Sequence, residues 1–110
     1  MHNPEKPAVF RAVNLLADTG AMYSIVPHHI LDDLGTKPRW RRQFSLADGQ
    51  RIERDGSGAL CRIGQYEGHA PVIFGKEGDH PTLGVTALEA MGLQVDPVTH
   101  ELKPTELLLL

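Results

Sequence analysis

The sequence predicts a mostly β protein with one or two short helices, and three observations carry that reading. Eleven glycines and eight prolines are spread through 110 residues instead of gathering in a linker, so turns separate many short elements within one domain spanning 1–110. Segments of strand character flank Asp48-Gly49, the strongest short hairpin signal, because both residues tolerate the positive φ of a tight primed turn. Helical spacing occurs only in two brief stretches, Ile30, Leu31, Leu34 and Val85, Leu88, Met91.

In order along the chain, Ala8–Ala17 (AVFRAVNLLA) is rich in β-formers with imperfect alternation, as expected of a strand that becomes buried on both faces toward Leu15 and Leu16. Asp18-Thr19-Gly20 ends it. Ile25-Val26 and Pro27 lead into one or two helical turns closed by Gly35. The hairpin Arg42–Leu46 and Gln50–Glu53 follows. Gly56-Ser57-Gly58 reads as a bend between strands, since it lacks the third glycine and the helix of a phosphate loop. Strands are expected at Ala59–Ile63 and Pro71–Phe74, joined through Gly64 and Gly68. Thr86 through Glu89 fits a capping box, and Gly92 closes the second helix. Leu93–Pro104 reads as two strands about an Asp96-Pro97 turn, and Thr105–Leu110 as an interface strand or a frayed tail.

Composition excludes several classes of function. Fourteen acidic residues against eleven Lys plus Arg leave a formal charge of -3, whereas a nucleic-acid binder needs a basic surplus for phosphate contacts. Arg39-Trp40-Arg41-Arg42 is a small basic, aromatic patch and reads as a solvated approach to the hairpin. No apolar run approaches the ~18 residues of a membrane span. Glu5, Lys6 and two prolines occupy the place of a signal peptide's apolar core. With the single Cys61 permitting no internal disulfide, this points to the cytoplasm. Cys61 lies in an expected strand, and a nucleophilic role is not expected of it. The histidines, His28-His29 and the Asp79-His80 pair included, lack metal-ligand spacing, so neither a metal nor a cofactor is expected.

The chemistry-bearing segment is Asp18-Thr19-Gly20-Ala21 after apolar Leu15-Leu16-Ala17, which sets a carboxylate at the sharp end of a strand beside a glycine that admits a second backbone. This segment, the Ser24-Ile25-Val26-Pro27 continuation, the Arg42–Glu53 hairpin and Pro81-Thr82-Leu83-Gly84 before a short helix together resemble the retropepsin-like aspartic proteases, in particular their prokaryotic members, over about Val13 to Leu93. The resemblance implies a closed β-barrel or sandwich protomer and a homodimer with two-fold symmetry. A lone carboxylate of this kind needs a second, facing it and sharing one proton around a water. With one D-T-G per chain, the second comes from another copy. Such a dimer would be an aspartic endopeptidase hydrolysing an extended peptide or protein substrate by general acid–base attack of that water.

By the same resemblance Asp18, Thr19 and Gly20 are catalytic: Thr19 locks the paired loops and Gly20 permits their approach. Ala21, Leu46, Ala47, Asp48 and Gly49 contact substrate, the hairpin tip closing over a peptide added as a strand. Ala21 replaces a hydroxyl that would stabilise the ionised carboxylate, which implies a less acidic optimum than that of gastric-type relatives. The chain departs from the family in having only Met1 and His2 before the Asn3–Pro7 loop, and a charged Ala-Asp-Gly flap tip. Those departures motivate an alternative, a catalytically silent module of this fold that dimerises or binds extended peptides.

Overall fold

Ten elements follow one another along the chain: β1 (Leu16–Ala17), β2 (Ser24–Pro27), α1 (His28–Asp33), β3 (Trp40–Ser45), β4 (Arg51–Ile63), β5 (Tyr66–Gly75), β6 (Thr82–Leu83), α2 (Val85–Met91), β7 (Leu93–Val95) and β8 (Leu102–Pro104). The computed structural model describes residues 1–105, so the expectation for Thr105–Leu110 falls, beyond Thr105, outside the described residues. Six strands form one mixed sheet in the order β1-β6-β2-β5-β4-β3, and β7 pairs with β8. The mostly β class with two short helices holds.

The sheet does not close into a barrel, because β1 and β3 are its two edges. β1 is too short to carry a ladder around: only Leu16 and Ala17 pair, with Thr82 and Leu83. The long strand expected over Ala8–Ala17 is cut down for the same reason. A strand needs a partner for its backbone groups along its length, and before β1 this segment meets only scattered backbone groups of residues 1–6 and no continuous strand. Arg11 N–H donates to Met1 O, and His2 bridges both Phe10 and Leu60. Leu16, expected to be buried, is 75% exposed.

β4 and β5 run longer than expected, joined at Gly64 in the left-handed region. Gly56-Ser57-Gly58, expected as a bend, lies inside β4 opposite Ile73, Val72 and Pro71. Gly56 is there for packing. A Cβ on Gly56 would sit 1.9 Å from the Trp40 indole, which lies across the backbone of its cross-strand partner. Gly68 likewise sits within β5, where a Cβ would come 2.3 Å from the Ala90 carbonyl of α2.

Alternation along β5 sends Ala70, Val72 and Phe74 to one side, where they feed two apolar clusters. Ala70 packs with Cys61, Leu83, Ala87, Leu88, Met91 and Leu93 under α2. Val72 and Phe74 pack with Val26, Leu31, Leu34 and Ala59 beside α1. Leu31 and Leu88 are almost fully buried, and truncating either to alanine costs about 2–5 kcal/mol. α1 ends as expected: Gly35, at φ 74°, follows the C-cap Leu34. The capping box does not form. α2 starts at Val85 behind Gly84, with no side-chain cap, and Thr86 Oγ1 instead donates to Met22 O at 2.8 Å.

Candidate active site

Asp18 begins the turn between β1 and β2, and its backbone is held from behind. Asp18 N–H donates to Leu83 O at 3.0 Å, Val85 N–H to Ala21 O at 2.8 Å, and Thr86 N–H to Met22 O at 3.1 Å. These bonds exist because β6 is inserted between β1 and β2, parallel to the first and antiparallel to the second. The insertion leaves no room for a side chain at its end. A Cβ on Gly84 would lie 2.5 Å from the Tyr23 carbonyl carbon and 2.9 Å from Met22 O. Ser24, fully buried, turns its hydroxyl oxygen to accept the Gly84 N–H at 2.9 Å.

In front, the turn is open. Asp18 Oδ1 accepts the Gly20 N–H at 2.8 Å and the Asp18 carbonyl accepts the Ala21 N–H at 3.1 Å, a pattern that fixes the carboxylate to its own loop. Asp18, Thr19 and Gly20 are exposed, so the burial expected of the strand toward Leu15 and Leu16 does not extend to this carboxylate. Apolar surface flanks them: Leu16 on one side and Met22, 62% exposed, on the other. Thr19 also borders a shallow cavity of about 350 Å³ with Val85, Leu88, Glu89, Leu93, Gln94, Val95 and Thr105.

Leu46, Ala47, Asp48 and Gly49 form the hairpin tip and lie apart from this turn in the hydrogen-bond pattern. Leu46 N–H donates to Gln50 O at 2.7 Å, Gly49 N–H to Leu46 O at 3.0 Å, and Gln50 N–H to Asp48 Oδ1 at 2.9 Å. The turn is not the primed type expected, since Gly49 alone has positive φ (87°) and Asp48 does not. A turn with one left-handed residue suits a longer loop.

What joins the hairpin to the Asp18 turn is a cluster that sequence reasoning missed. Tyr23, two residues beyond Ala21, packs edge-on against Phe44 at 5.9 Å and lies 6.4 Å from Trp40. Arg42 donates to the Tyr23 hydroxyl at 3.3 Å and stacks over the Trp40 ring at 4.5 Å. The i, i+2, i+4 spacing of Trp40, Arg42 and Phe44 was the available signal: in a strand it places all three on one face.

Asp79 binds Arg54 through both oxygens at 2.8 Å in a mostly buried pair; that guanidinium, and then the Lys76 N–H, hold its carboxyl below the usual range. Burial pushes the Cys61 thiol up, away from a reactive thiolate. Among the described residues, no group of three His, Cys, Asp or Glu side chains is placed to hold a metal ion, and no helix is long and apolar enough to cross a membrane. Family models, curated proteins and solved structures were compared with the chain, and none matches.

Proposed function

We propose that the protein is an aspartic endopeptidase whose active site forms on the two-fold axis of a homodimer, each protomer supplying one Asp18. The observation that carries this reading is the Asp18 turn itself, braced from behind by Leu83 and Gly84 and open in front, where Asp18, Thr19 and Gly20 are exposed between Leu16 and Met22. A catalytic carboxylate needs a rigid backbone, because misplacement by about 1 Å costs orders of magnitude in rate. The exposed apolar flanks suit a surface that a second copy covers. The resemblance of the D-T-G, hairpin and Thr82-Leu83-Gly84 landmarks to retropepsin-like proteases supports the same reading.

In such a dimer the two carboxylates share one proton, since both cannot ionise comfortably at close range. The ionised Asp18 takes a proton from the water as it attacks the peptide carbonyl, while the protonated Asp18 donates to the carbonyl oxygen. Reversal of these roles protonates the leaving amine. Gly20 lets the loops approach, and Thr19, with no hydrogen-bond partner among the described residues, is free to bond across the axis. Extended substrate lies between this turn and the Leu46–Gly49 tip, along the Ala21 backbone.

The test is digestion of a mixed peptide library between about pH 4 and 7, the range in which a shared-proton pair passes through its active form, by wild type and Asp18→Asn. Cleavage by the wild type that falls at least about 100-fold in the variant is expected. Equal cleavage by both would remove Asp18 from the chemistry. A wild type that is folded, dimeric and inactive would leave the silent peptide-binding module. Sedimentation equilibrium, run in parallel, is expected to give a dimer mass.

A further inference from the structure

We infer that the face of β3 beside the Asp18 turn selects an acidic side chain in an extended peptide, with Arg42 as the recognising group. The inference rests on the peptide cleft proposed above and adds its charge preference. The ion pairs around Arg42 distinguish it from its neighbours. Arg41 is held by Glu53 and Asp55 at 3.1 Å each, Arg39 by Glu5, and Arg54 by Asp79. Arg42 has no carboxylate partner among the described residues, and directly across the ladder from it stands another arginine, Arg54.

Although unpaired, Arg42 is held in position. Its plane lies over Trp40, and one of its five N–H donors goes to the Tyr23 hydroxyl. Stacking and one edge bond restrict the guanidinium while leaving donors open, and a planar fork with two free N–H groups fits a carboxylate bidentately. Tyr23 ties this fork to the backbone that continues from Ala21. The aromatic floor of Trp40, Tyr23 and Phe44 contacts the methylene stem of a glutamate better than it does a bare inorganic anion. The occupant is therefore the acidic side chain of a peptide running along the hairpin.

Trp40 is the only tryptophan in the chain, so its fluorescence reports occupancy directly. Short extended peptides with one Glu, and their Gln counterparts, are titrated into the Asp18→Asn protein, which removes cleavage from the measurement. The Glu peptides are expected to change Trp40 emission and to bind about tenfold or more tighter than the Gln peptides. Arg42→Gln is expected to erase the difference and Arg42→Glu to transfer the preference to Lys peptides, while Arg51→Gln, at the start of β4 and also without an ion pair, keeps it. Equal binding of Glu and Gln peptides, an unchanged preference in Arg42→Gln, or equally tight binding of a single-stranded oligonucleotide would overturn the inference. The two proposals fail separately: cleavage by the wild type without acid preference removes only this one, and acid-selective binding with no cleavage removes only the protease.

Discussion

The Asp18–Ala21 turn and the Leu46–Gln50 hairpin tip both join two strands, both contain a glycine, and both lie open to solvent, yet different parts of the chain hold them. The tip is closed by bonds among its own five residues, and a Cβ on Gly49 would find nothing within 4 Å. The Asp18 turn is held by residues more than sixty positions away, through Leu83, Val85 and Thr86. A self-contained turn can open and close without disturbing the sheet. A turn bolted to a distant strand cannot move alone, which suits a group that must keep its position through a reaction.

Glycine substitutions break this comparison most directly. Gly84→Ala is expected to have the largest effect, about 3 kcal/mol or more, since the new methyl meets backbone rather than a movable side chain; urea unfolding measures it. Asp79→Asn is expected to cost about 2 kcal/mol by leaving Arg54 short of a charged partner. It also tests a pH dependence. Because the Asp79 carboxyl is held low, its contribution is complete above the ordinary value of about 3.9 and is lost as pH falls further, through its folded value. The acid side of the stability profile should therefore flatten in Asp79→Asn. Asp96, held at about 2 by the Val98 N–H, then Lys103 and the Thr99 N–H, acts in the same direction in the same acid range.

Gly56→Ala is expected to cost about 1–2 kcal/mol and to shift Trp40 emission, because the indole must leave the glycine it covers. Gly49→Ala is expected to be the mildest, about 1 kcal/mol from positive φ alone. Equal losses at Gly84 and Gly49 would show that the two turns are held alike.

Legibility in the sequence followed the same division. Local signals were sound for the place of the hairpin, though not for its turn type, for both helices and their glycine ends, and for the β7–β8 pair about Asp96. Features that depend on distant partners were not legible. Gly56 has the look of a turn residue until Trp40 is seen lying on it, and Thr86 that of a cap until Met22 O takes its hydroxyl. Leu15-Leu16 reads as interior strand, but its ladder ends after two residues and leaves Leu16 in solvent. At the candidate site, the Asp18 segment stood out, whereas the Tyr23 and Arg42 contacts did not, because their partners lie about twenty residues apart.

The insertion of β6 between β1 and β2 also bears on when the protein can act. A pairing that joins residue 17 to residue 83 closes a long loop, and such non-local contacts form slowly and late. During synthesis the N-terminal part of a chain emerges first, so the Asp18 turn has left the ribosome well before the residues that brace it exist. In a nascent chain the bonds that brace the Asp18 turn cannot form until residues 82–86 have been made. For a proposed protease this timing is protective: cleaving competence arrives only after the rest of the sheet has been synthesised.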